Sequence, residues 1–197
     1  MSSRISSDSP SFELTQPSRD GFPRLKARAA GALYLVAVFT AVFAEFFAPG
    51  KLGIAAILIP ISCYVAVTLL LYGVLKPVRR SIALFAVVFG LVGLAFEGLQ
   101  LQPHGVNIGM TCHGIYCLLI GYLIFRSSFM PRILGLSMAF AGLVWLIYLS
   151  APLARFFSPY NSAVGLLAEA LPMLWLLVLG VNAQRWNEQA RVAMEEI

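Results

Sequence analysis

The sequence predicts an all-α membrane protein: six transmembrane helices in an antiparallel bundle, with both termini cytoplasmic. Three observations predict it. Of 197 residues, 59% are hydrophobic and only 12% are charged, about half the ~25% charged share of soluble domains. No charge interrupts the chain between Lys51 and Lys76, or between Arg132 and Arg155, and each gap exceeds the roughly 20 apolar residues a spanning helix needs. Finally, all but two of the 14 lysines and arginines, Lys51 and Arg155, fall on one side once alternate loops are assigned to alternate faces. Cytoplasmic loops carry that excess of positive charge.

The elements follow in order. Residues 1–27 hold seven serines and three prolines and read as a disordered cytoplasmic tail, too polar to bury a core. No cleavable signal precedes the first span, which then directs its own insertion. Six spans are expected near residues 28–48, 51–75, 81–103, 104–125, 132–153 and 162–184, so the transmembrane domain covers 28–184. Lys76-Pro77-Val78-Arg79-Arg80 and Ser127-Ser128-Phe129-Met130-Pro131 read as turns, and Pro103-His104 separates the third span from the fourth. Such short connections favour antiparallel neighbours. Residues 185–197 form a cytoplasmic tail or a short interfacial helix with Trp186 at headgroup level.

Composition also excludes. The net charge of +5 does not point to nucleic acid, because the basic residues sit at helix ends rather than on one soluble face. There is no P-loop, dinucleotide fingerprint or nucleophile elbow. Cys63, Cys112 and Cys117 lie inside spans and read as small apolar fillers. Glu and His ligands would suit zinc or iron, but no HExxH or ExxH spacing occurs, so the metal signal is weak and no metal or other cofactor is expected.

What remains is a set of ionisable groups inside apolar segments. Such groups are costly in a bilayer and mark functional sites by default. At 1.5 Å per residue, Glu45, Glu97, Glu169 and His113 lie ~6, ~9, ~11 and ~13 Å below the outer boundary, a slab about 7 Å thick. Their helix faces carry small residues: Ala41 and Ala48 beside Glu45, Gly90 and Gly93 beside Glu97, Gly109 and Cys117 beside His113, Gly165 beside Glu169. Small residues let membrane helices approach, so the four groups are expected to point inward. Pro60 and Pro172 would each free a carbonyl, of Ala56 and Ala168, at similar depth. Gln100, Gln102, Asn107, Thr111 and Asn161 add polar capacity.

Carboxylates and an imidazole in a medium of low dielectric suit proton transfer. The concrete expectation is an acid/base enzyme of isomerase or cyclase type on a lipophilic substrate. Glu97 and Glu169 would be the acid/base pair, His113 the orienting or relaying group, and Glu45, Gln100, Asn107, Thr111 and Asn161 the ligand contacts. The alternatives are a non-catalytic binder or carrier of a lipophilic molecule or cation, with the same acids as counter-ions, and a structural protein whose polar groups fix helix register. The expected partners are membrane lipids and a lipophilic small molecule, and glycine-lined faces would permit a homodimer.

The order of motifs resembles a known family. Ala27-Arg28-Ala29-Ala30-Gly31-Ala32-Leu33-Tyr34-Leu35 opens the first helix, and Leu71-Tyr72-Gly73-Val74-Leu75-Lys76-Pro77-Val78 closes the second. Gly121-Tyr122-Leu123-Ile124-Phe125-Arg126-Ser127 leads to Pro131-Arg132-Ile133-Leu134-Gly135, and Glu169-Ala170-Leu171-Pro172-Met173-Leu174-Trp175 lies in the sixth. Together these resemble the bacterial membrane family filed as domain of unknown function 4386, over about residues 27–183. The resemblance implies six helices and a multi-pass protein of the bacterial inner membrane. It implies no activity.

Overall fold

The computed structural model describes residues 21–47, 51–99, 101–103 and 106–195, without the side chains of residues 21, 44–47 and 51–57. Eight α-helices are seen among the described residues: α1 (Gly21–Phe47), α2 (Lys51–Leu75), α3 (Arg80–Gly98), α4 (Ile108–Arg126), α5 (Arg132–Trp145), α6 (Ala151–Phe157), α7 (Tyr160–Val178) and α8 (Ala183–Glu195). Six of them, all but α6 and α8, contain stretches long and apolar enough to cross a membrane, α5 with its continuation to Leu149. A 19-residue helix such as α3, α4 or α7 is about 28 Å long, close to the ~30 Å hydrocarbon core.

The six long helices form a closed ring. α1 packs on α2, α2 on α3, α3 on α4, α4 on α5 and α5 on α7, and α7 returns to α1. The bundle interior holds Leu71, Tyr116, Ile120, Leu123, Met138 and Met173, all buried. Its outside carries Phe39, Phe85, Leu143 and Leu167, all exposed. Large apolar side chains facing outward on every side are what a lipid-solvated surface requires.

Polar contacts fix how the helix ends pair. Near the start of α1, Arg28 donates to the Val178 carbonyl at the end of α7 and Arg24 to the Val181 carbonyl in the link to α8. Arg28 thereby satisfies an acceptor the helix C-terminus leaves open, and both cations complement its negative dipole end. α8 is strongly amphipathic and closes the same end. Trp186 Nε1 donates to the Val74 carbonyl at 2.7 Å, and Gln189 accepts from the backbone N–H and the hydroxyl of Ser128 in the α4–α5 turn. The ends of α2, α4 and α7 and the start of α1 thus share one rim with most of the basic residues.

The helix limits correct several expectations. α1 begins at Gly21, so residues 21–27 of the expected tail are helical; Pro23 sits in the first turn, where its missing N–H is harmless. α3 stops at Gly98 and α4 starts at Ile108, because Asn107 caps α4 by accepting from Met110 N–H at 2.9 Å. His104 lies outside the described residues. The fifth span is regular only to Trp145 and continues as a 3-10 turn, Leu146–Leu149, before α6. Residues 185–195 lie within α8.

α4 and α5 meet backbone to backbone. A Cβ added at Gly121 would lie 2.7 Å from Ala139 N, and one at Gly135 2.6 Å from Phe125 N. The glycine faces of both helices are therefore used inside the bundle.

Candidate functional site

The buried polar centre is built on α7. Glu169 is 1% exposed, and its carboxylate accepts from donors on three other helices. His113 Nε2 of α4 lies 2.9 Å from Oε1. The Cys117 thiol, one turn along on the same face, donates to Oε1 at 3.4 Å. The indole N–H of Trp145, the last residue of α5, donates to the same oxygen. Tyr34 of α1 donates its hydroxyl to Oε2 at 3.2 Å. Glu169 thus ties α1, α4 and α5 to α7.

Local sequence makes these contacts fit. Gly165 precedes Glu169 by one turn, and a Cβ there would lie 2.8 Å from Trp145 Cε2; the bare backbone admits the indole. Pro172 frees the Ala168 carbonyl as expected, but that acceptor is not open to a cavity. The Ser137 hydroxyl of α5 donates to it at 2.6 Å, so the break beside Glu169 is held by the neighbouring helix.

His113 is the accessible member, its side chain 19% exposed against 2% for that of Glu169. Aromatic rings surround it. Tyr116 stacks at 5.7 Å between centroids, while Tyr64 and Trp145 stand edge-on at 5.9 and 5.7 Å. Tyr64 also meets Tyr34 edge-on at 5.8 Å. An imidazole so enclosed is held in one orientation, and ring faces accommodate its cationic form.

Glu97 occupies a second position. It lies close to Asn107, with His113 in electrostatic range. Glu97 also lies against Gly109, where an added Cβ would come 2.5 Å from Oε2. The side chains hydrogen-bonded to Glu169 are His113, Cys117, Trp145 and Tyr34, so its direct neighbour among the three expected catalytic residues is His113. α4 starts four residues later than expected, which puts His113 about 8 Å from its helix start rather than ~13 Å.

The remaining candidates divide. Thr111 donates to the Asn107 carbonyl, a bond within its own helix turn. Asn161 is buried, accepts from Ser162 N–H, and its amide nitrogen finds no partner among the described residues. The Glu45 side chain and Gln100 lie outside the described residues. Sequence reasoning missed Tyr34 and Trp145, and it took Cys117 for an apolar filler although it stands four residues from His113. The available signal was chemical: each is an aromatic or thiol with a polar handle inside an apolar run.

Residues 95–180 match the model of a family described as a domain of unknown function (DUF4386), bearing out the resemblance across α4, α5 and α7. An uncharacterized protein of the archaeon Archaeoglobus fulgidus is 28% identical over 74% of this chain and 94% of its own length. No solved structure matches the chain.

Proposed function

From a membrane domain whose family lends no activity, we propose an acid–base centre for a lipophilic small molecule, with His113 and Glu169 as its working pair. The protein would lie in the plasma membrane with both termini cytoplasmic. The observation that carries the reading is the asymmetry of the pair. Glu169 is enclosed and accepts from four side chains, which makes it a poor proton acceptor for anything else. His113 is partly exposed, and its Nε2 is oriented by the carboxylate. That division resembles carboxylate–imidazole pairs in general, where the acid fixes the ring and the imidazole exchanges the proton. Glu97, beside Gly109, supplies a second acid on the same side of the bundle.

The reading is tested by native mass spectrometry of the protein, His113→Phe and Glu169→Gln, each incubated with host membrane extract in deuterated water. A lipophile retained by the wild type, lost from both variants and carrying deuterium on carbon supports the proposal. Retention without deuterium would replace catalysis with binding or transport. Absence of any retained species from the wild type would sink both and leave the network structural.

A further inference from the structure

We infer that His113, Cys117 and Glu169 form a binding site for a divalent metal of zinc type. His113 Nε2, Cys117 Sγ and Glu169 Oε1 all lie within 4.8 Å of one another. Their separations are 2.9 Å for nitrogen to oxygen, 3.6 Å for sulfur to nitrogen and 3.4 Å for sulfur to oxygen. A tetrahedral zinc with bonds of ~2.1 Å to N and O and ~2.3 Å to S spaces such ligands about 3.3–3.6 Å apart. The triangle therefore needs only to open by a few tenths of an ångström on its nitrogen–oxygen edge.

The chemistry of the donor set points the same way. Imidazole, thiolate and carboxylate together suit zinc or a neighbouring transition metal rather than calcium or magnesium. His113 and Cys117 stand four apart on one helix face, and the third ligand comes from α7. Binding releases the Cys117 proton to solvent. A divalent ion with one thiolate, one carboxylate and a neutral imidazole is then a neutral assembly, which a bilayer interior tolerates far better than a lone charge.

The surroundings supply what metal sites require beyond their ligands. Ligating carboxylates are oriented by further hydrogen bonds. Here Tyr34 holds Oε2, turning Oε1 toward His113 and Cys117, while Trp145 donates to the second lone pair of Oε1. The cluster offers three protein ligands, leaving a fourth position for water or substrate, as in catalytic rather than structural zinc sites. The inference rests on the acid–base reading for its choice of working centre and deepens it: with the metal bound, His113 and Glu169 serve as ligands and a metal-bound water takes over the proton transfer.

The test uses the full chain in detergent, stripped with chelator and titrated with Co²⁺. Saturation at one equivalent, with a thiolate-to-cobalt charge-transfer band and tetrahedral absorption, is expected, and Zn²⁺ should abolish both. Cys117→Ser, which keeps a hydroxyl donor for Glu169, should lose the band, whereas Cys63→Ser and Cys112→Ser should keep it. Tyr34→Phe should weaken binding about 10–100-fold, as loss of an orienting partner does. A folded protein without the band, or a band indifferent to Cys117→Ser, overturns the metal site. If the deuterium exchange proposed above survives that failure, the acid–base reading stands alone; if cobalt binds and no lipophile is retained, only the metal site stands.

Discussion

Replacing Glu169 with leucine removes the acceptor shared by four side chains, and the loss can be worked out donor by donor. The Tyr34 hydroxyl and Cys117 thiol can rotate, and His113 can change tautomer. The indole N–H of Trp145 cannot, and Tyr34 is 2% exposed with little room to find water. Counting only Trp145 and Tyr34, at about 1–3 kcal/mol for each stranded donor, gives roughly 2–6 kcal/mol. Glutamine differs. Its carbonyl can face His113 and Trp145 while its amide turns to the Tyr34 oxygen, so the charge-assisted strength is lost and only the Tyr34 hydrogen is left without its acceptor. That is on the order of 1 kcal/mol, within the ~0.6–1.7 kcal/mol measured for interhelical bonds in membranes. For a chain of this length 1 kcal/mol moves the melting temperature by about 2–4 °C. Thermal unfolding in detergent, followed by far-UV circular dichroism, should therefore show Glu169→Leu lowered by roughly 5–20 °C and Glu169→Gln by no more than about 5 °C. A leucine variant melting with the wild type would refute the claim that these donors depend on Glu169.

Three other outcomes follow from the packing and the charge pattern. Gly121→Val places side-chain atoms where a Cβ already meets Ala139 N at 2.7 Å, so α4 and α5 must separate; a loss of about 1–3 kcal/mol is expected from overpacking, read as a lower melting temperature, and an unchanged value would place the helices further apart than described. Arg28→Ala leaves the Val178 carbonyl without its guanidinium, and the α1–α7 seam should loosen by roughly 0.5–1.5 kcal/mol, measured as faster amide exchange at the end of α7. Reporter fusions should place residues 1 and 197 on the cytoplasmic side; a reporter active outside at either terminus would overturn the orientation.

The number of spans was legible because apolar length alone decides it, and the basic rim because all lysines and arginines but Lys51 and Arg155 fall in alternate loops and tails. Helix limits were less so. On either side of Pro103-His104, α3 ends at Gly98 and α4 starts only at Ile108, since the cap that starts α4 is an asparagine side chain whose role appears only once α4 exists. At the site, facing was more useful than depth: the small-residue faces carrying Glu169 and His113 do meet, whereas the depth of His113 was misjudged because the start of α4 was placed four residues too early. Nothing in spacing distinguished Trp145 or Tyr34 from core aromatics, as both occur in runs whose hydropathy is that of packing residues. Cys117 was placed on the right face, but its thiol was weighed as volume rather than as a donor. The carbonyl freed by Pro172 was foreseen and its partner was not, because Ser137 reaches it from another helix.

The ring of spans is closed by the first and last of them, and this has a consequence for biogenesis. Tyr34 and Glu169 are 135 residues apart. At 5–20 residues per second, roughly 7–27 s of translation separate them. Through that interval Tyr34, joined in turn by His113, Cys117 and Trp145, resides in the nascent chain without the carboxylate that unites them, and the half-built bundle has an open flank between α1 and α5. Insertion of α7 then closes the flank and delivers the common acceptor in one event. The polar centre is in this sense a completion signal: a chain that stops before α7 has its spans but no centre, and the donors left inside it are what a quality-control system would be able to recognise.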